Sequence, residues 1–226
     1  MQNQHVFKGF DAELNTLNSK ISAMASECEL QLIKAVDALT SLDNDLARYI
    51  VKRDSLINNM QWEIEELVVA LISKREPKAS DLRYVLTGFK IASDLERIGD
   101  YAANIAKNIA RLKLVELEEP TESIILMARS ASKMIEKVMV ALTERSTEKA
   151  YDVWQMDDEI DHNYSRMLRL LRQSMREKPD SQEDCTVLMN IGRYCERIGD
   201  HITNIAEGVY YINTGSTCIE SMKDYK

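Results

Sequence analysis

The sequence ERIGD at Glu96–Asp100 recurs at Glu196–Asp200, and in both places a gap of three residues leads to Asn-Ile-Ala. Over residues 96–109, eight of the fourteen amino acids are identical to those 100 positions further on. At average residue usage, about one identity would be expected by chance. The repeat therefore predicts that the two halves of this 226-residue chain arose by internal duplication.

Shorter segments upstream of each ERIGD sequence also recur, with a slightly different offset. The matches, all 103 residues apart, are Met24-Ala25 with Met127-Ala128, Ala38–Thr40 with Ala141–Thr143, Asp54 with Asp157, and Ile57 with Ile160. The change of offset from 103 to 100 falls in the turns around Pro77 and Pro179. Each half is thus predicted to be one structural unit with the same order of elements.

The composition favours long helices, since the chain has only three prolines, seven glycines and 6% aromatic residues. Between Leu17 and Leu42, apolar residues follow one another at steps of three or four, which is the period of a helix with one buried face. The prolines lie in polar segments between such runs. Six helices are predicted, at about 7–41, 43–75, 80–113, 120–145, 147–177 and 181–213.

We therefore predict an all-α fold of two tandem antiparallel three-helix bundles related by internal duplication. The first bundle is expected at residues 5–115 and the second at 119–214, with a disordered tail at 215–226. Ser181 and Asp184 have the spacing of a capping box for the sixth helix.

Charge and hydropathy exclude several classes of function. A net charge of −8 argues against binding to a nucleic-acid backbone, which requires a basic surface. No apolar run reaches the length of about 20 residues that a transmembrane helix needs, and the N-terminus lacks the core of a signal peptide. The four cysteines show no CxxC spacing, which favours reduced thiols in the cytoplasm.

The ERIGD helix carries an oxygen-rich stripe. Glu96 and Asp100 are four residues apart, so their carboxylates share one helix face, and Asn104 continues that face by another turn. Two like charges at this spacing repel each other. Glycine inside a helix costs about 1 kcal/mol relative to alanine, so Gly99 and Gly199 predict the close approach of another backbone.

If the second and third helices of each half form an antiparallel hairpin, a second polar pair faces each ERIGD stripe. The facing pairs are Asp54 with Asp100 and Asn58 with Glu96 in the first half, and Asp157 with Asp200 and Asp161 with Glu196 in the second. Such clusters repel unless a cation lies between them. Oxygen ligands without cysteine suit iron, manganese, magnesium or calcium, and they also accept zinc.

Two observations qualify this hypothesis. Arg97 and Arg197 offer an alternative, because they can neutralise the carboxylates in ordinary surface ion pairs. The two sites also differ in charge. Asn58 is neutral where the second half has an aspartate, and Lys107 stands where the second half has Glu207, which helical periodicity places on the face of Glu196.

The segments DLERIGDYAANIAKNI at 94–109 and CERIGDHITNIAEGV at 195–209 resemble the paired motifs of the PhoU family, bacterial regulators of phosphate transport. FDAELNTL at 10–17 resembles that family as well. The resemblance implies two three-helix bundles that hold metal clusters, with iron or zinc preferred over magnesium or manganese. The implied metal ligands are Asp54, Glu96, Asp100 and Asn104 in the first half, and Asp157, Asp161, Glu196, Asp200 and Asn204 in the second.

The resemblance further implies a negative regulator of phosphate uptake and of the phosphate-starvation response. Its expected partners are the ATPase of the phosphate ABC transporter and a phosphate-sensing histidine kinase, through which it would reach the inner face of the membrane indirectly. The long amphipathic helices also make a homodimer an expectation. No catalytic or cofactor-binding residues are predicted, since the sequence has no nucleophile–base pair and no glycine-rich phosphate loop.

Two other functions remain open from the residues alone. One is a metal-dependent oxidase or hydrolase built on a helical bundle, which would need an open coordination position beside a general base. The ExxH sequence that ends at His162 has no counterpart in the first half, which counts against a di-iron site. The other is a structural dimerisation module without metal.

Overall fold

The computed structural model describes residues 2–113 and 117–221, and it describes side chains from Ala12 onward. The described residues form six α-helices and no strand. The helices are α1 (Gln2–Ser41), α2 (Asn44–Arg75), α3 (Ser80–Ile109), α4 (Glu118–Glu144), α5 (Thr147–Glu177) and α6 (Gln182–Thr214), with a short 3-10 turn at Pro179–Ser181 before α6. The predicted all-α fold with six helices is confirmed.

The connections between helices follow ordinary capping chemistry. Asp43 precedes α2, and its carboxylate accepts hydrogen bonds from the amides of Asp45 and Leu46. Ser146 caps α5 in the same way by accepting from the amide of Lys149. These short, capped turns make consecutive helices antiparallel, as the duplicated hairpins require.

The helices of each half pack together, and the two halves share one hydrophobic core. Contacts between the halves are made mainly by α3 with α6 and by α1 with α4. The principal partners of α2 are α1 and α3, and those of α5 are α4 and α6. The helices that carry ERIGD therefore lie at the centre of the molecule, and α2 and α5 are the outer helices of their bundles.

Two details differ from the sequence-based expectations. The Ser181 side chain makes no capping bond; its hydroxyl donates to the carbonyls of Lys178 and Ser174, while the Asp184 carboxylate accepts from the amide of Lys113. The buried position of Asp184 allows it to bind the chain leaving α3, so it does not serve its own helix. The third helix also ends at Ile109, four residues earlier than predicted.

The structure describes residues 215–221 of the segment that follows α6. Gly215 ends α6 in a left-handed conformation, and Ile219 then packs into the core with 1% of its surface exposed. The expected disordered tail is therefore wrong for residues 215–221, because an apolar side chain anchors them to the bundle. Residues 222–226 lie outside the described residues. None of the described helices is long and apolar enough to cross a membrane.

Candidate functional site

The first acidic cluster joins α2 to α3. Asp54 is half-buried on α2, and both this burial and the negative charge of Asp100 raise the pKa of its carboxyl group. The pKa of Glu96 is also raised, first by burial, then by the negative charge of Asp100 and, to a smaller extent, by that of Asp54. The three carboxylates are thus close enough to affect one another's pKa, whereas Asn58 is exposed and adds no charge.

The second cluster joins α5 to α6 at the equivalent place and is more acidic. Burial raises the pKa of Asp157 to about 7, with further contributions from the charges of Asp161, Asp200 and Glu196. The pKa values of Asp161 and Glu196 are also raised, in both cases by burial first and then by the charge of Asp200. Four carboxylates therefore repel one another at this point, which stores free energy that a cation would release.

The two ERIGD glycines make room for side chains, so the expected close approach of a backbone is wrong. A Cβ atom at Gly99 would lie 2.5 Å from Ile57 Cδ1, and one at Gly199 would lie 2.3 Å from Asp157 Oδ1. In the second half, the glycine therefore lets a carboxylate of the cluster lie directly against the α6 backbone. In the first half, the same space is taken by an apolar side chain.

Both clusters contain a buried oxygen without a partner. Oδ1 of Asp54 and Oδ1 of Asp157 are buried, and neither accepts a hydrogen bond from any described residue. These atoms occupy equivalent positions of the duplication. A buried carboxylate oxygen with no donor is costly, and a bound cation is one way to satisfy it.

The ion pairs proposed as an alternative are also present. Arg97 lies 3.6 Å from both Glu96 and Asp100, measured from nitrogen to carboxylate oxygen. Arg197 lies 3.6 Å from Glu196 and donates a hydrogen bond of 2.9 Å to Asp200. Both arginines stay on the solvent side, 59% and 46% exposed, and neither reaches the orphaned aspartate oxygens.

The asparagines of the motif are hydrogen-bonded to residues outside the acidic sets. Asn104 accepts a hydrogen bond from the Lys107 ammonium group at 3.2 Å, and Asn204 donates to Asp94 of α3 at 3.3 Å. Glu207 does not join the second cluster, because Trp154 donates to its carboxylate and the charges nearest to it are Glu220 and Asp94. Lys107 does bear on the first cluster, where its charge opposes the rise in the pKa of Asp54.

Sequence reasoning missed a link between the two halves. His201 Nδ1 lies 2.8 Å from Asp94 Oδ1, and its ring packs against Tyr101 with a centroid distance of 5.7 Å. Tyr101 in turn stacks on Tyr194 at 5.8 Å. The signal was the departure from the repeat, since Asp94 and His201 stand where the other copy has Tyr194 and Tyr101.

The donor set of each cluster fits a hard cation, because it consists of carboxylates with raised pKa values and includes an orphaned oxygen. Among the described side chains of residues 12–113 and 117–221, however, no three His, Cys, Asp or Glu residues already surround one point at ligand distances. Binding would thus require the ERIGD carboxylates to turn from their arginines toward Asp54 or Asp157, which rotation about side-chain bonds can provide.

The PhoU domain model matches residues 21–109 and 124–209, one copy in each half. A phosphate-specific transport system accessory protein PhoU homolog of Clostridium acetobutylicum is 37% identical over 209 residues, covering 92% of this chain and 95% of that protein. The protein of the same description from Rhizobium meliloti is 35% identical over 217 residues, covering 96% and 92%.

Two crystal structures are similar over nearly their whole length. The phosphate transport system regulatory protein PhoU from Streptococcus pneumoniae superposes with a TM-score of 0.85 at 32% identity, covering 92% of this chain and 98% of that one. PhoU from Pseudomonas aeruginosa superposes with a TM-score of 0.84 at 34% identity, covering 92% and 100%. Both halves of the duplicated fold are therefore shared with these proteins.

Proposed function

The chain belongs to the PhoU family, and from that premise we propose that it is a negative regulator of phosphate uptake and of the phosphate-starvation response. The observation that carries the proposal is the match of the PhoU domain to both halves of the chain. Relatives that align with nearly the whole chain are named accessory proteins of the phosphate-specific transport system. A regulatory adaptor needs binding surfaces more than a catalytic pocket, which agrees with a molecule made of long helices.

The proposed partners are the ATPase of the phosphate ABC transporter and a phosphate-sensing histidine kinase. Contact with these proteins would bring the chain to the inner face of the membrane from the cytoplasm without a spanning segment of its own. We propose that it self-associates, with a homodimer as the smallest assembly. Each of these partners is inferred from the family, and the described fold supplies the exposed helical faces on which such contacts can form.

We further propose that both clusters bind metal ions, iron or zinc first and magnesium or manganese as alternatives. Asp54, Glu96 and Asp100 would hold the metal in the first half, and Asp157, Asp161, Glu196 and Asp200 in the second. Asn104 and Asn204 belong to the proposed sets only if they leave their present partners, Lys107 and Asp94. A cation would neutralise each cluster and fasten the outer helix of a bundle to its ERIGD helix.

A clean deletion strain tests the regulatory proposal. Phosphate-starvation genes, followed by alkaline phosphatase activity, should be expressed in the deletion strain even in phosphate-rich medium. Wild-type protein supplied from a plasmid should restore repression. Normal repression in the deletion strain would overturn the proposal.

The rival function, a metal-dependent oxidase or hydrolase, finds less support in the geometry. The carboxylates with raised pKa values lie at helix surfaces, and His162, which ends the ExxH sequence, is exposed. His201 is committed to a hydrogen bond with Asp94 of α3. Restoration of repression by a variant that lacks both metal sites would separate an adaptor from a metalloenzyme.

A further inference from the structure

The outer helices α2 and α5 occupy equivalent places in the two bundles, yet their solvent-facing sides differ. On α2, Trp62, Glu66 and Val69 share one face, since steps of four and three residues keep them within about 60° of one another around the helix. Trp62 is 64% exposed and Val69 is 57% exposed. This set is the α2 face, and it combines exposed apolar surface with a negative charge.

The same positions on α5 carry positive charge. Residues 103 positions after Glu66, Val69 and Ser73 are Arg169, Arg172 and Arg176. All three arginines are exposed. None of them has an ion-pair partner among the described side chains of residues 12–113 and 117–221. These arginines are the α5 face, which is unpaired although the chain as a whole has a charge of −8.

The charges along the two helices also run in opposite directions. On α2, the exposed Lys52 precedes Glu66, and on α5 the exposed Asp158 precedes Arg169. If α2 of one molecule lay parallel to α5 of another, unlike charges would meet at both ends of the contact. An antiparallel contact would instead bring like charges together.

We propose that the α2 face of one molecule binds the α5 face of a second copy, with the two helices parallel. Arg169 then pairs with Glu66, and Arg166, three residues before Arg169 and nearly level with Trp62, stacks on that indole, which is the aromatic side chain that attracts a guanidinium group most strongly. Covering Trp62 and Val69 supplies the apolar part of the contact. Charge complementarity between two faces of the same chain thus identifies the partner as another copy.

This inference rests on the proposed self-association and is independent of the metal and of the regulatory role. Two different faces meet, so the contact is heterologous. A dimer is its smallest product, and each dimer retains one free α2 face and one free α5 face. The assembly therefore continues into a ring or a chain as the protein concentration rises.

Two variants test the contact because each blocks one face only. Arg169→Glu with Arg172→Glu removes the α5 face, and Trp62→Ala with Glu66→Gln removes the α2 face. The matched control for the α5 variant is Lys133→Glu with Lys137→Glu on α4, which makes the same change of net charge at exposed positions outside both faces. Circular dichroism of all three should match the wild type, since every altered side chain is exposed.

Sedimentation velocity across a concentration series should show wild-type and control protein forming assemblies that salt dissociates. Each face variant alone should associate at least about tenfold more weakly. An equimolar mixture of the two should give a 1:1 dimer that grows no further, because only one intact pair of faces remains.

A wild-type protein that is monomeric throughout would overturn both the homodimer and the contact. Assemblies that persist in both face variants would overturn the contact alone. Failure of the mixture to form a dimer would also overturn it, as would anionic vesicles binding to the α5 face in place of a second copy.

Discussion

The two acidic clusters lie on equivalent helices but differ in their side chains and charges. The comparison shows which features the two halves share and which have diverged. In the second half, the Asp157 carboxylate lies against Gly199 and has a pKa raised to about 7. In the first half, Ile57 lies against Gly99, and the charge of Lys107 partly offsets the rise in the pKa of Asp54. The two halves share the helix positions and the glycines, whereas the charges in and around the two clusters differ.

The consequence is that one framework holds two sites of unequal strength. The second cluster contains four interacting carboxylates and the first contains three. Because charge count governs much of the affinity for hard cations, the second site should bind the proposed metal more tightly. Removing parts of either cluster should therefore have different effects in the two halves.

The largest expected effect comes from deleting the ERIGD carboxylates of one half. Glu196→Ala with Asp200→Ala should strip the metal from the second site while helix content stays nearly unchanged, since burial of apolar side chains dominates the fold. Glu96→Ala with Asp100→Ala should affect only the first site. Metal analysis and circular dichroism provide the two measurements.

Each double variant serves as the control for the other. A metal content equal to that of the wild type in both would contradict the proposed ligand sets. Loss of the helical signal together with the metal would instead assign the ions a structural role in folding.

The glycines provide a second contrast between the halves. Gly99→Ala should destabilise the protein by about 1–3 kcal/mol, because the added methyl group collides with the buried Ile57. Gly199→Ala should cost less, since the Asp157 carboxyl group can rotate away and alanine favours the helix. Only Gly199→Ala should displace a proposed ligand and so reduce metal content.

Urea unfolding and metal analysis of the two variants distinguish these effects. Equal losses of stability, or an unchanged metal content in Gly199→Ala, would show that the glycines do not set the difference between the clusters.

Much of this comparison could be predicted from the sequence, because helical periodicity and the doubled ERIGD fix both the hairpin register and the facing carboxylates. Asp54 and Asp157 lie near ERIGD carboxylates, as the antiparallel hairpin of each half predicts. Periodicity predicts that Glu207 shares the face of Glu196, but eleven residues of helix separate the two by about 16 Å, so Glu207 lies beyond the cluster. Trp154 lies close enough to donate to Glu207, which no spacing within one helix reveals.

The contacts between the two halves could not be predicted from the sequence either. His201 reaches Asp94 only because α3 packs on α6, and a single sequence contains no register for that contact. The tail was misjudged because its composition is polar, while one buried side chain, Ile219, is enough to hold it. Local sequence patterns therefore predict the helices and turns, whereas the contacts of individual side chains depend on how the helices pack.

A smaller effect should follow from adding one charge to the weaker site. Asn58→Asp introduces the carboxylate that Asp161 provides in the other half, and it should strengthen metal retention at the first site about tenfold. In the wild type, titration with a mild chelator should empty the Asp54 site before the Asp157 site. The substitution should narrow this gap.

Asn58→Gln keeps the site neutral and is the matched control. Equal chelator sensitivity of the two wild-type sites, or no gain from the added aspartate, would mean that geometry outweighs charge.

The smallest effects are expected at the arginines, and they decide between a metal and surface ion pairs as the reason for the clusters. Arg197 holds Asp200 at 2.9 Å and Arg97 holds Asp100 only at 3.6 Å, and both arginines are largely exposed. Exposed pairs of this kind contribute about 0–1 kcal/mol, so Arg197→Gln should destabilise slightly more than Arg97→Gln.

If the carboxylates serve a cation, removing either arginine should leave the metal bound and slow its loss to a chelator, because a competing positive charge has gone. If the carboxylates serve the arginines, each substitution should leave only a more distant cation, Lys107 or Arg193, beside the cluster and should lower stability beyond that range. Thermal unfolding of both variants, measured with metal and after chelation, separates these outcomes. A large loss of stability that added metal does not reverse would favour the ion pairs over the metal.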